Sequence, residues 1–264
     1  MYKSFILPHF DYCDILYDNC TATQSDSLEN LHLDGIRTII GAVRGTSHDK
    51  LYKESGFTTL KERRRRHKLI FMHKIIHGQC PNYLSERCPP LVGQLNPYHR
   101  RRPLERRVPH SRTELYYNSF FPSATRLYNF LPDDVKSNPS ISSLKHFLSQ
   151  ADTLVPLHYF NGKRALEIHH TRLRLGISNL NYDLHRRHLL LYPTCGCGFQ
   201  EENAEHFLLH CPLYEEQRNA TISNLPLEVR LIDVLIKGKD TLSNEFNSVI
   251  FDIVQDFIEI SDRF

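Results

Sequence analysis

Four potential metal ligands near the C-terminal end constrain the fold of this chain more than any other feature. Cys195-Gly-Cys197 is followed by His206 and Cys211, which gives the spacing C-x-C-x8-H-x4-C. Thiolate and imidazole donors that converge within about 2.0–2.3 Å of one ion satisfy tetrahedral Zn²⁺, and a closed set of four is typical of a structural site. The glycines on either side of Cys197 permit the tight turn that brings two thiolates onto one metal. We therefore expect one structural zinc ion, bound by Cys195, Cys197, His206 and Cys211.

Other interpretations of this cluster stay open. His210 can replace His206 as the fourth ligand, and the thiols can also be free groups beside a surface histidine. A catalytic zinc would need an open coordination position and a general base. Glu205 adjoins His206, but we expect its side chain to point to another helix face. A nucleophilic Cys/His pair is disfavoured, because clustered thiols favour metal ligation.

The cysteine pattern and the hydropathy indicate a compartment. Seven cysteines, an odd number spread along the chain, do not form the dense, even framework of a secreted disulfide scaffold. No stretch approaches the ~20 apolar residues of a membrane span, and the apolar run near the N-terminus is too short for a signal peptide. We expect an intracellular protein of the cytoplasm or nucleus, neither secreted nor membrane-bound.

Charge is distributed unevenly along the chain. Residues 61–112 contain fourteen Lys and Arg against three Glu, whereas residues 201–264 contain thirteen Asp and Glu against five Lys and Arg. A basic middle predicts contact with phosphate, and an acidic tail that docks on the basic face and neutralises it is the alternative.

Two basic runs, residues 61–68 and 99–107, supply the predicted contacts to RNA or DNA, which we expect to be bound without sequence preference. The predicted nucleic-acid-binding residues are Arg63, Arg64, Arg65, Arg66, Lys68, Arg100, Arg101, Arg102, Arg106 and Arg107. Aromatic residues near the second run can stack on bases: Tyr98, Tyr116, Tyr117, Phe120 and Phe121.

Hydrophobic periodicity predicts a mainly α chain. The predicted helices cover residues 25–43, 58–77, 122–131, 140–149, 166–191 with a break near 176–181, 227–237 and 242–260. Ser25 or Ser27 is the expected N-cap of the first helix, and the basic half of the second helix is expected to project into solvent. Residues 80–109 are rich in proline and predict a basic loop or extended arm.

These elements suggest four segments. Residues 1–155 form a helical, basic region, and residues 156–165 form a linker around Asn161-Gly162. Residues 166–225 form the zinc module with its preceding helix, and residues 226–264 form acidic C-terminal helices.

Motifs of several common catalytic sites are absent. The sequence has no P-loop, dinucleotide fingerprint, serine nucleophile elbow or His-Glu-x-x-His motif. Tyr12-Cys13-Asp14 loosely resembles the Tyr-x-Asp-Asp turn of polymerases. The adjacent second carboxylate is missing, however, and Asp18 lies four residues further along, so we do not expect an active site there.

Several segments in order carry a family resemblance: Phe5-Ile-Leu-Pro-His-Phe-Asp-Tyr-Cys-Asp14, Gly35-Ile-Arg-Thr-Ile-Ile-Gly41, His73-Lys-Ile-Ile-His-Gly78 and Phe120-Phe-Pro-Ser-Ala-Thr-Arg-Leu-Tyr-Asn-Phe-Leu-Pro132. Together they resemble the region after the polymerase domain in jockey-like non-LTR retrotransposon reverse transcriptases. Arg172-Leu-Arg-Leu-Gly176 and the Cys/His cluster with Cys211-Pro-Leu-Tyr214 are similar to the zinc module that closes many such proteins. The resemblance implies a helical, thumb- or connection-like domain, then a small zinc-stabilised helical module and C-terminal helices.

The departures from the family also carry an implication. Active members have fingers and palm domains with three catalytic aspartates ahead of this region, and often an endonuclease, and this chain has neither. The resemblance therefore implies a truncated, catalytically incomplete fragment of an RNA-directed DNA polymerase that binds nucleic acid and is not an enzyme.

Two alternatives remain. A helical interaction module would use the acidic helices of residues 227–260 to bind a protein partner, and an unpaired apolar stripe on the last helix would favour it. A zinc-dependent nuclease would need Glu205, and metal-dependent cleavage lost in Glu205→Gln would support it.

Overall fold

A computed structural model describes residues 2–95, 104–150, 152 and 154–264, and these residues are mainly helical. Within them no β-strand forms, and an antiparallel bridge joins Leu91 to Arg106. The mainly α prediction is therefore confirmed. In the same residues, no helix combines the length and the hydropathy that crossing a bilayer requires.

Short and long α-helices make up the chain before residue 150, after a π-helical turn at Tyr2–Ile6. They are Leu7–Asp11 (α1), Asp14–Tyr17 (α2), Ala22–Ile40 (α3), His48–Ser55 (α4), Leu60–Ile76 (α5), Asn82–Ser85 (α6), Val92–Leu95 (α7), Glu114–Asn118 (α8), Phe120–Asn129 (α9), Asp133–Ser137 (α10) and Ile141–Ser149 (α11).

The C-terminal portion contains α-helices together with 3₁₀ and π-helical turns. Its α-helices are Arg164–Leu175 (α12), Asn181–Arg186 (α13), Glu215–Ala220 (α14), Ile232–Lys237 (α15) and Asn244–Ser261 (α16). A π-helical turn spans His206–His210, and 3₁₀ turns span Leu157–Phe160, Pro212–Tyr214, Ile222–Asn224 and Leu227–Val229.

Helix α3 begins earlier than the sequence pattern predicted. Thr21 is the residue that caps it: the Gln24 amide donates to the Thr21 hydroxyl at 3.3 Å, and the Thr21 amide donates to the Gln24 side chain at 3.1 Å. This reciprocal arrangement is a capping box, with Gln at the third position. The expected cap at Ser25 or Ser27 is therefore wrong.

The chain divides into two compact units. The first comprises the described residues of 1–32 and 57–153, and the second comprises residues 33–56 and 154–264. Residues 33–56 thus belong with the C-terminal portion. Residues 156–165 do not form a bare linker either, because the 3₁₀ turn Leu157–Phe160 packs against α16.

The core of the first unit lies around α5, which packs against α9 and α11. Leu69 and Met72 of α5 contact Ala124 and Tyr128 of α9 and Leu144 of α11, and all five are buried. Helix α5 is therefore the central element of this unit.

The core of the second unit joins the segment that holds the Cys/His cluster to the acidic C-terminal helices. Phe207 and Leu208 of the π-helical turn share one cluster with Leu235 of α15 and with Ile250 and Phe257 of α16, all fully buried. The predicted division between residues 166–225 and 226–264 therefore separates elements that share one core.

Candidate metal centre and basic surfaces

The four predicted metal ligands meet in one cluster. The ligand atoms of Cys195, Cys197, His206 and Cys211 all lie within 4.8 Å of one another. The Cys195 and Cys211 Sγ atoms are 3.6 Å apart, and Cys197 Sγ is 3.3 Å from His206 Nε2. A tetrahedral zinc ion with ordinary bond lengths separates two sulfurs by ~3.8 Å and a sulfur and a nitrogen by ~3.5 Å. The donor set and its spacing can therefore hold one metal ion.

A tight turn brings the first two thiols together. The Gly198 amide donates to the Cys195 carbonyl, and the Cys195 amide donates to the Phe199 carbonyl, both at 2.9 Å. Gly198 has φ +93°, a conformation that side chains with a Cβ rarely adopt, although no atom would meet a Cβ there. This glycine is therefore needed for its backbone angle and not for space.

The π-helical turn His206–His210 supplies the other two ligands. Phe207 and Leu208 are buried in the core, and the Cys211 amide closes the turn by donating to the His206 carbonyl at 2.7 Å. The Phe199 ring stacks on the His206 imidazole, with 4.4 Å between ring centroids and 5° between planes. The hydrophobic core and the cluster therefore fix the position of one short segment together.

Polar residues that the sequence analysis missed support this segment. Arg218 donates to the carbonyls of Leu208, at 2.9 Å, and Cys211, at 2.7 Å. The buried Glu202 carboxylate pairs with Arg263 at 2.6 Å and accepts from the Asn181 amide at 2.9 Å. No spacing rule links these residues in a single sequence, because only the fold brings each of them near its partners.

Burial governs protonation in the cluster when it holds no metal. It raises the pKa of Cys195 to about 12 and also raises the pKa of Cys211, whereas it lowers the pKa of His206. The Phe199 backbone amide lowers the pKa of Cys197. A metal ion must therefore displace thiol protons at neutral pH, which couples metal binding to proton release.

The rival ligand His210 lies outside this cluster. Its side chain is 64% exposed and sits 3.9 Å from the Glu205 carboxylate, which is 58% exposed. The four clustered donors include His206 and not His210.

The first basic run, on α5, is paired with carboxylates. Arg63 bonds Asp11, Arg64 and Lys68 bond Asp18, Arg65 bonds Glu62, and Arg66 bonds Asp152 and Glu62. Arg64 and Lys68 are each only 3% exposed. The expectation that this half of the helix projects into solvent is therefore wrong for these two residues. Successive cations lie on every face of α5, and those on its packed face are buried.

The second basic run is only partly described. Arg100, Arg101, Arg102 and Tyr98 lie outside the described residues. Arg106 is half-buried and donates to the Pro89 carbonyl at 2.6 Å. Arg107 is exposed and, among the residues that the structure describes, has no carboxylate partner.

The predicted aromatic residues fall into two groups. Tyr116 and Tyr117 on α8 are about half exposed, at 47% and 48%, and the Arg126 guanidinium lies 3.6 Å from the Tyr117 ring centroid. Phe120 and Phe121 are half-buried, and their rings pack edge to face at 5.2 Å. Among the described members of this set, the two tyrosines are therefore the more accessible to a base, although Arg126 covers one face of Tyr117.

In the segment Tyr12-Cys13-Asp14, Tyr12 and Cys13 are exposed and Asp14 is packed inside the unit. Asp14 is buried and accepts from His67 Nδ1 at 2.5 Å. Asp11, Asp14 and His67 place one ligand atom each within 4.8 Å, but Arg63 already pairs with Asp11.

The last helix uses its apolar stripe inside its own unit. Ile250, Val254 and Phe257 are fully buried in the second core, and of the apolar residues on α16 only Val249 and Ile260 are substantially exposed, each at 47%. The unpaired stripe that would favour a protein partner is therefore not present on this helix.

Comparison with known proteins gives no relative: no family model, no curated protein and no solved structure matches this chain.

Proposed function

We propose that the chain binds RNA or DNA without sequence preference and that a zinc ion at Cys195, Cys197, His206 and Cys211 stabilises the unit that contains it. The observation that carries nucleic-acid binding is the pair of exposed tyrosines on α8, with Arg126 stacked on Tyr117 and with exposed arginines a few positions earlier in the chain.

Tyr116 and Tyr117 offer aromatic faces, and Arg107 and Arg112 precede them in the chain as exposed cations. Arg126 stacks on one face of Tyr117 and places a positive charge at this ring. Aromatic faces stack on any base and arginine contacts any phosphate, so together they bind single strands with little sequence preference. We propose that Arg107, Arg112, Tyr116, Tyr117 and Arg126 contribute to one binding surface, called the α8 surface.

The metal's proposed role is structural. Four protein donors complete a tetrahedron, whereas catalytic zinc keeps one position for water or substrate. The buried Phe207 and Leu208 lie between the ligands His206 and Cys211, so metal binding and core packing hold the same residues. We therefore propose that the chain binds nucleic acid and that its zinc ion has no catalytic role.

The proposed origin is the post-polymerase region of a jockey-like non-LTR retrotransposon reverse transcriptase. The ordered sequence segments support it, as does the convergence of the four ligands carried over from that family's zinc module.

The test is fluorescence anisotropy with a labelled 20-nucleotide oligo(U) and the full chain loaded with zinc. Tyr116→Ala/Tyr117→Ala should weaken binding about tenfold or more, because stacking is worth ~1–3 kcal/mol per base. Tyr12→Ala/Tyr83→Ala removes two other exposed tyrosines of the same unit and should bind as the wild type does.

The affinity of the wild type should also fall as salt rises, because each neutralised phosphate releases counterions. Absence of binding at low salt, or equal affinities of the two double variants, would contradict the proposal.

A further inference from the structure

A cavity of about 580 Å³ opens in the second unit, away from the Cys/His cluster's own residues. Four of its lining side chains are cations: Arg44 and Lys50 from residues 43–50, and Arg186 and Arg187 from the end of α13. No acidic residue is among those that line it.

Two of these cations already have structural partners. Lys50 donates to the carbonyl of Leu175 at the end of α12, at 2.8 Å. Arg187 donates to the backbone carbonyls of Ser178, at 2.9 Å, and Asp183, at 3.3 Å. Backbone carbonyls satisfy hydrogen bonds but leave the full positive charges uncompensated.

The other two cations have no partner of this kind. Arg44 and Arg186 are exposed and make no hydrogen bond or ion pair with any residue the structure describes, although the Arg186 guanidinium lies 5.8 Å from the Tyr182 ring centroid. They contrast with the arginines of α5, which are paired with carboxylates.

The carboxylates Asp183 and Asp49 offset this charge only in part, because the four cations outnumber them. Asp183 is buried, and one of its oxygens accepts from both the amide and the hydroxyl of Ser178. Asp49 is exposed in the first turn of α4 and forms no ion pair within the described part of the chain.

The backbone of the cavity wall adds to the positive potential. Ser47, the N-cap of α4, lines the cavity, and its side chain does not cap the helix. The positive end of the helix dipole therefore lies at the same wall as the four cations. Gly45 and Gly176, at φ +89° and +67°, leave the wall free of side chains at two further points.

We propose that this cavity binds a phosphate group of a single-stranded nucleic acid, with Arg44 and Arg186 as its direct contacts and Lys50 and Arg187 supplying background charge. The proposal rests on the proposed function and gives it a site distinct in residues from the α8 surface. The cavity exceeds the size of one phosphate, and its apolar wall of Val43, Ile177 and Leu189 suits the attached sugar or base.

The test compares Arg44→Gln/Arg186→Gln with the charge-matched control Lys237→Gln/Lys239→Gln, in the zinc-loaded full chain. Lys237 and Lys239 are exposed cations of the same unit and do not line the cavity. We expect the cavity variant to bind oligo(U) about tenfold more weakly than the control, with a salt slope shallower by roughly 1–2. Unchanged zinc content and thermal midpoint would show that both variants fold.

Equal affinities of the two variants, with salt-dependent binding by the wild type, would overturn this site and leave the proposed function standing. No binding by the wild type would overturn both.

NMR spectra of a chain labelled with ¹⁵N-glycine show where oligo(U) binds. Oligo(U) should shift the Gly45 and Gly176 resonances and leave Gly196 and Gly198 in place. If inorganic pyrophosphate shifts them but oligo(U) does not, the cavity binds free phosphate compounds and the proposal is wrong.

Discussion

Helix α12 carries a histidine that should make the second unit sensitive to acid. His170 is 1% exposed, its Nε2 donates to the Leu235 carbonyl at 2.9 Å, and the Phe251 ring lies 4.2 Å from its own ring. Burial, assisted by the charge of Arg174, lowers its pKa from 6.5 to about 3. The folded unit therefore holds a neutral imidazole where the unfolded chain holds a cation below pH 6.5.

The sign and size of the effect follow from proton linkage. Between pH 6.5 and about 3 the unfolded chain binds one more proton at His170 than the folded chain does, so the free energy of unfolding falls as pH falls. The loss is about 1.4 kcal/mol per pH unit, or roughly 5 kcal/mol over the whole interval. Above pH 6.5 the stabilisation from this residue is fully present.

The variant His170→Gln isolates this contribution, because a glutamine amide can donate to the Leu235 carbonyl without titrating. Urea unfolding from pH 7 to pH 5 gives each protein's dependence on pH, and hydrogen exchange of peptides from α16 assigns the transition to the second unit. The wild-type curve should be steeper than the variant's by about 1 kcal/mol per unit near pH 5.5. Parallel curves would show that His170 does not contribute to the pH dependence of stability, whatever the offset between the curves.

Further predictions concern the loss of stability that single substitutions cause. Asp18→Asn should lower the free energy of unfolding, measured in urea, by about 3 kcal/mol, because it leaves two buried cations of α5 without a full counter-charge. Asp34→Asn, whose carboxylate is exposed, is the control and should lower it by less than about 1 kcal/mol. Gly41→Ala should lower the midpoint of thermal unfolding more than Gly78→Ala: both glycines have φ +67°, but only at Gly41 would the new Cβ meet a side chain, at 2.5 Å. Glu202→Gln should cost about 3 kcal/mol by urea unfolding, and a loss below 1 kcal/mol would show that its buried ion pair adds little.

The sequence predicted the long helices because their apolar periodicity matches their packing. Helix α16 begins one residue after the cap Ser243, and its predicted apolar face lies in the core. Helix α4 was not predicted, because its eight residues contain mostly polar side chains and one fully buried leucine, Leu51. Short helices of this kind depend on tertiary packing and not on their own pattern.

The ligand cluster could be predicted because metal coordination requires donors at short, countable spacings. The burial and pairing of the basic residues could not be predicted, because ion pairs join residues that are distant in sequence. Arg66 pairs with Asp152, 86 positions away, and Arg63 pairs with Asp11. The cavity cations Arg44 and Arg186 lie outside both basic runs, and only the fold brings them together.

The zinc content of the purified chain shows whether Cys195, Cys197, His206 and Cys211 bind a metal ion. The full chain, purified under reducing conditions, is analysed by elemental analysis beside Cys195→Ser, Cys211→Ser and the control Cys13→Ser, whose thiol is exposed and outside the cluster. We expect one zinc ion per chain in the wild type and the control, and none in the two cluster variants. Absence of zinc from the wild type, or its retention in both cluster variants, would contradict the assignment of the metal centre.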